Sequence, residues 1–282
     1  MSTAHPALDL FVARLLLRSA LSADEQVALR GLSCRLSHVQ PRCDIVSPGQ
    51  SVSHACLIAK GLAVRFDQMR DGRRQIAAFH IPGDMCDLHS VVAPTAAWGI
   101  GTLAPTTVLY LPHEELRALA VRYSEIAMAF WRDATTDGSV LAKWVGNLGR
   151  QEAHARLAHL LCEMGMRMEC AGLGTRTEFM LDASQEQLAD ALGLTAVHVN
   201  RTLQRLRAEG LIGSANRNVT ILDWDGLAAV GEFDPAYLLL NPKLAARSAA
   251  VPRPSWRAPR SPRGTRRAGV SGADLRGRPA RG

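Results

Sequence analysis

The sequence predicts an α+β fold in three successive parts: an N-terminal antiparallel barrel or roll, one long helix, and a C-terminal winged helix-turn-helix. Three observations carry this. Short β-rich runs punctuated by Pro-Gly, Gly and Asp-Gly fill residues 34–112. A helical pattern then runs unbroken from about Ser124 to Leu148. Finally, Ser184–Gly213 reads as two short helices about a tight turn.

Taken in order, residues 5–32 read as helical, with one amphipathic segment over Ala7–Arg18. A second opens at Ser22, where serine can cap and Asp24 and Glu25 suit a helix N-terminus. From Cys34 to Pro112 the runs HACLIAKG, LAVRF, RQIAAFHI and TTVLYLP are separated by Pro48-Gly49, Gly61, Asp71-Gly72 and Pro82-Gly83. Asp71-Gly72 is a hairpin turn signal. Helical character returns at His113. In the long helix that follows, Phe130, Ala134, Asp137, Leu141, Trp144 and Leu148 recur at alternating steps of four and three, the spacing of a coiled-coil seam between two copies. A helix packed along its own domain would show a similar stripe. After Gly149 come another helix and a short strand at Glu178–Leu181. Beyond the helix-turn-helix, LIGSANRNVTILDW reads as two strands around a polar turn at Ala215–Asn218, a wing, and GLAAVGEFDPAYLLL closes the domain.

In the helix-turn-helix, Ser184 can cap the first helix, with Gln187 completing a capping box. Leu188, Ala189 and Leu192 give that helix its apolar face, and Gly193 supplies the turn. Thr195 caps the second helix, where Val199, Leu203 and Leu206 recur at helical spacing. Between them stand His198, Asn200, Arg201, Gln204, Arg205 and Arg207. A surface helical hairpin is one reading. The other is a recognition helix for the DNA major groove, where arginine can donate two hydrogen bonds to guanine and asparagine suits adenine or a phosphate. Val197 could touch a thymine methyl, while His198, Gln204, Arg205 and, at the wing, Arg217 would hold the backbone.

The net charge of +7 is unevenly placed. Residues 243–282 hold eleven Lys or Arg and one acid, so with the tail's +10 removed the first 242 residues carry −3. DNA binding must therefore rest on local arginines, and the Pro- and Arg-rich tail is expected to be disordered. No run of eighteen apolar residues and no secretion signal is present, which predicts a cytoplasmic protein without membrane contact. The six cysteines, at 34, 43, 56, 86, 162 and 170, contain no C-x-x-C, so free thiols and no metal centre are expected. The sequence also lacks H-E-x-x-H and G-x-S-x-G, which argues against an enzyme.

The order of parts resembles the Crp/Fnr family of bacterial transcription regulators. The resemblance spans about residues 10–238. It is carried by Ile45–Gln50 (IVSPGQ), Ile58–Gly61 (IAKG), Ile81–Asp84 (IPGD), Val145–Leu148 (VGNL) and the helix-turn-helix. It implies an effector-sensing, cyclic-nucleotide-binding-like β-roll over residues 1–123, a dimerisation helix over 124–148, a DNA-binding domain over 149–242 and the basic tail 243–282. It also implies a homodimer on a palindromic operator of double-stranded DNA, with RNA polymerase as a further partner. Within the motif it places Arg201 on the family's base-reading arginine, with Thr195, Ala196, Val197 and Asn200 around it. Members often carry glutamate where Val197 stands, so a different operator is implied. An effector-binding adaptor of the same fold, without specific DNA binding, is the alternative.

Cyclic-nucleotide binders of the family hold the phosphate with an arginine and a glutamate after the Pro-Gly-Asp turn. From Gln75 to Leu116 this chain has no Lys or Arg, and Leu88 or Asp87 stands near the usual glutamate. A buried phosphate would lack compensation, so cyclic AMP is not expected. No cysteine precedes Cys34, against the cluster of the oxygen-sensing branch. The effector loop offers Cys86, Asp87 and His89, either as a C-x-x-H ligand pair or redox thiol, or as a structural thiol beside a histidine. The effector, small molecule or redox signal, and any cofactor remain unassigned.

Overall fold

The computed structural model describes residues 5–213 and 217–241. The first helix, α1 (Pro6–Leu16), starts on a proline whose missing N–H costs nothing at that position, and it buries Leu8, Phe11, Val12 and Leu15. Arg14 interrupts that face. Helix α2 (Ala23–Arg30) begins at the expected Ser22 cap, and Glu25 completes it as a capping box.

Seven strands follow: β1 (Arg35–Val39), β2 (Asp44–Val46), β3 (His54–Lys60), β4 (Ala63–Gln68), β5 (Arg74–His80), β6 (Gly99–Thr102) and β7 (Thr106–Pro112). They form two antiparallel sheets, ordered β1-β7-β3 and β2-β6-β4-β5, which is a roll. Gly61 joins β3 to β4 at φ +94°, and a Cβ there would stand 2.5 Å from the Pro105 carbonyl oxygen, so only glycine fits. Between the sheets Val46, Cys56, Ile58, Ala63, Cys86, Ile100 and Val108 form an apolar interior.

Helices α3 (His113–Arg122), α4 (Ser124–Arg150) and α5 (Ala153–Ala171) come next. After them stand β8 (Glu178–Met180), α6 (Gln185–Leu192), α7 (Ala196–Ala208), β9 (Asn218–Thr220) and α8 (Trp224–Val230). An apolar cluster runs from Val64, Phe66 and Phe79 of the roll through Trp144 to Leu157, Leu188 and Leu206. No helix among the described residues is long and apolar enough to cross a membrane.

The two arms of the expected wing face each other: β9 pairs with β8 on one side, and on the other the segment after α7 meets it through the bridge Ile212–Ile221, the Gly213 N–H donating to the Thr220 carbonyl and the Leu222 N–H to the Leu211 carbonyl. Leu211 serves both this arm and the end of α7. Its N–H, with that of Gly210, donates back to Leu206 and Arg207 and closes α7. Of the expected wing turn, Ala215 and Asn216 lie outside the described residues, as does the tail 243–282.

Most of the residues expected at a seam pack within this chain. Phe130 and Trp144 are buried in the chain's own core, where Phe130 stacks on Phe11 and Trp144 meets Phe79 edge-on at 5.9 Å. Asp137 pairs with Arg14 and Arg65, Leu141 and Leu148 are half-buried, and only Ala134 is exposed. The exposed stripe lies one residue later: Met128, Trp131, Thr135, Gly138, Ala142, Val145 and Gly149. It keeps the same alternating spacing with smaller side chains.

Candidate nucleic-acid interface

The helix-turn-helix is built as its local chemistry dictates. The Ser184 hydroxyl accepts from the N–H of Gln187, whose side chain accepts from the N–H of Ser184, so two orphan donors are satisfied reciprocally. Gly193 turns the chain at φ 61°. Thr195 then caps α7, its hydroxyl accepting from the N–H of His198 at 3.2 Å. Arg156 donates to the last-turn carbonyl of Leu192 at 2.6 Å, a cation at the negative end of α6.

Helix α7 buries Val199, Thr202 and Leu206 against the core. Thr195, Val197, His198, Arg201, Gln204 and Arg205 are exposed, and Ala196 is half-buried. No acid stands in its first turn, which leaves the N-terminal N–H groups favourable to a phosphate. The guanidinium of Arg201 has no hydrogen-bond or ion-pair partner among the described residues and is free to take a ligand. Other members of the set are engaged. The Asn200 amide donates to Gln185 across the turn at 3.0 Å and is half-buried, so it braces the two helices. Arg205 pairs with Glu209 at 2.9 Å, and Arg217 pairs with Asp182 at 2.7 Å.

The effector loop is drawn inward. Cys86 and Asp87 are buried and both meet Cys56: the Cys86 N–H donates to the Cys56 carbonyl, and the Cys56 N–H donates to Asp87 at 2.6 Å. Burial pushes the Cys86 thiol well up and the Asp87 carboxyl up to about 6. His89 does not join them. It is half-buried against Trp98, with ring centroids 5.0 Å apart, and burial lowers its pKa to about 4. Among the described residues, no group of three or more His, Cys, Asp or Glu is placed to hold a metal ion.

A cation does enter the roll, from a strand outside that loop. Arg65 on β4 is buried, donates to the Cys86 carbonyl at 2.8 Å and to Asp137 at 3.1 Å, and lies over Trp98. It is one end of a chain of charges. Asp137 also meets Arg14, which binds Asp133 and Asp84, and Asp84 accepts from Arg167 at 2.8 Å. Arg167 of α5 also pairs with Glu163, whose other oxygen accepts from Trp144 and from Tyr237, each at 2.8 Å. Burial opposes ionisation of Asp84, but Arg14 and Arg167 outweigh it and hold the carboxyl low. The signal for this network was weak: Arg14 and Arg167 each interrupt an otherwise apolar helical face.

Residues 36–123 match the family profile described as the cyclic nucleotide-binding domain, and residues 155–230 match that of the Crp-like helix-turn-helix domain. The chain is 26% identical over 170 residues to the transcriptional regulatory protein btr of Bordetella pertussis, covering 58% of this chain and 70% of that one. It is 27% identical over 185 residues to the nitrogen fixation regulation protein FixK of Azorhizobium caulinodans, covering 65% of this chain and 74% of that one. Among solved structures, FixK2 from Bradyrhizobium japonicum matches with a TM-score of 0.65 at 26% identity, over 71% of this chain and 98% of that one.

Proposed function

The chain belongs to the Crp/Fnr family of transcriptional regulators, and on that premise we propose that it acts in the cytoplasm as a homodimer that reads a palindromic operator through α7. The observation that carries this reading is Arg201, exposed and, among the described residues, unpartnered, on a helix whose opposite face is packed into the core. A free planar guanidinium can donate to both O6 and N7 of one guanine. Val197 offers an apolar contact where a carboxylate would seek cytosine. His198 and Gln204 hold phosphates, Thr195 and Ala196 lie at the helix N-terminus, and Asn200 fixes the angle between the two helices. Arg205 and Arg217 reach the backbone by exchanging their present carboxylate partners for phosphate.

Two-fold symmetry supplies the second half-site, about 34 Å away. The exposed stripe of α4 supports the dimer. Gly138, Gly146 and Gly149 face open space, with nothing among the described residues within 4 Å of the position of a Cβ. Each exposed helical glycine costs about 1 kcal/mol relative to alanine. Close approach of a second α4 uses the missing side chains.

The effector is a ligand other than cyclic AMP. The loop from Gln75 to Leu116 carries no Lys or Arg, and Arg65, the cation inside the roll, already serves Asp137 and the Cys86 carbonyl. RNA polymerase is the further partner through which the bound dimer acts.

Selection of binding sites from random DNA tests the reading. Arg201→Ala is expected to lower specific affinity by about 1–3 kcal/mol and relax one position per half-site, whereas Gln204→Ala weakens all sequences evenly. Failure of the unaltered protein to enrich any sequence would assign the chain to the adaptor class.

A further inference from the structure

Where α5 meets the end of α7, one carboxylate stands between two cations of different kinds. Glu209 closes α7, and its Oε1 accepts from the Nε of Arg205, one turn back on the same helix, at 2.9 Å. Its Oε2 stands 2.8 Å from the Nε2 of His154, in the first turn of α5. Among the described residues neither His154 nor Glu209 makes a further ion pair. The other charged groups at this corner are Glu152, Arg156 and Arg207. Glu152 precedes α5 without a side-chain bond to the helix end, and Arg156 is turned to the Leu192 carbonyl. Arg207 pairs with no carboxylate among the described residues. The end of α8 meets α5 farther along, at His159.

The two cations differ in what can change them. Arginine keeps its charge at any physiological pH, whereas histidine gains one as pH falls through about 8 to 5. They differ in reach as well, since the Arg205 side chain is 61% exposed and that of His154 only 14%. Arg205 lies one turn beyond Arg201 on the same face of α7, open to a DNA phosphate, while His154 is covered. Arg205 and His154 hold the Glu209 carboxyl below the ordinary glutamate range, so it stays ionised. With His154 neutral, the single charge of Glu209 balances Arg205. With His154 protonated, one carboxylate cannot balance two cations, and the exposed arginine is the one able to leave. An exposed pair four residues apart on a helix is weak, so phosphate replaces it readily.

We infer that His154 and Glu209 gate a phosphate contact by Arg205, so that the protein holds the DNA backbone more tightly as pH falls. The inference rests on α7 facing DNA, and it makes Glu209 and His154 positioning residues that touch no DNA themselves. The sign follows from linkage. Bound DNA favours the state in which His154 is charged, so binding takes up a proton and affinity rises toward low pH. The contact is to backbone and carries no base preference.

Binding of the full chain to a duplex carrying its selected sequence, followed across salt at about pH 5.5 and pH 8, tests this. Every protein carries His198→Gln, which removes the other histidine of the interface and keeps the backbone N–H that Thr195 caps. At the lower pH the slope of log affinity against log salt should steepen by about 0.9 per half-site, the value of one phosphate. Glu209→Gln should show the steep slope at both pH values, a gain that partial unfolding cannot imitate. His154→Gln and Arg205→Gln should show the shallow slope at both. Equal slopes at the two pH values without these changes overturn the inference alone. A pH-dependent slope that survives in His154→Gln or Arg205→Gln also overturns it, as does a shallow slope for Glu209→Gln at pH 8. Failure to bind DNA at either pH would overturn it together with the reading of α7.

Discussion

Arg201 and Asn200 are neighbours on one helix, yet the structure gives them different surroundings. Both residue types can read a base, and both positions follow a capped helix start, so composition alone cannot separate them. The separation comes from Gln185, fifteen residues earlier, which takes the Asn200 amide across the turn. Asp87 shows the same dependence on surroundings. Its unfolded carboxyl titrates near pH 4, about 3.9, while burial raises the folded value to about 6. Between those values the folded state holds more protons than the unfolded one, so this group's contribution to stability falls as pH rises from about 4 to about 6. The contribution is on the order of 3 kcal/mol across that window. Asp84 and His89 act with the opposite sign. Asp84 is held low by its arginines and His89 is kept neutral by burial, so both favour folding less as pH falls. Asp87→Asn keeps the oxygen that accepts from Cys56 and removes the titration. The stability difference between variant and parent, followed by denaturation from pH 4 to 7, should therefore change with pH; a constant difference would contradict the assignment.

At the scale of elements, local chemistry was legible and facing was not. Ser184, Gln187, Gly193 and Thr195 act within four residues of their partners, so the helix-turn-helix could be read from sequence and lies where it was read. Strands separated by Pro-Gly and Asp-Gly were legible for the same reason. Two adjacent rows of α4 satisfy the same alternating spacing, so spacing alone does not say which row faces outward. The row with Phe130, Leu141 and Trp144 carries more apolar bulk and draws attention, but that bulk fills this chain's own core. The row at Trp131, Gly138, Ala142 and Val145 is small and exposed. A charged residue placed there separates the two roles. Gly138→Glu with Val145→Glu should leave the fold intact, since neither position packs within the chain, yet give monomers with much weaker operator binding. Sedimentation equilibrium reads the outcome, and an unchanged oligomeric mass would remove this stripe from the interface.

The whole molecule is tied together by pairs that no sequence window spans: Arg14 reaches Asp133 across 119 positions, and Arg167 reaches Asp84 across 83. These bonds join the roll, the long helix and α5, the helix on which α7 packs. Arg167→Met would leave Glu163 and Asp84 buried beside a missing cation, and a loss of about 3–5 kcal/mol is expected in chemical denaturation. Adding Glu163→Gln should restore part of that loss, because one uncompensated charge disappears. The tail acts on a longer scale. Its +10 lies on residues 243–282, while the first 242 residues carry −3, so long-range attraction to DNA depends on the tail more than on the folded body. Each phosphate neutralised steepens the dependence of log affinity on log salt by about 0.9. Removing residues 243–282 should therefore flatten the salt dependence and weaken binding at low salt, while the preferred base sequence, which we propose is set by Arg201 and its neighbours, stays the same. Equal slopes with and without the tail would show that its charge serves something other than DNA.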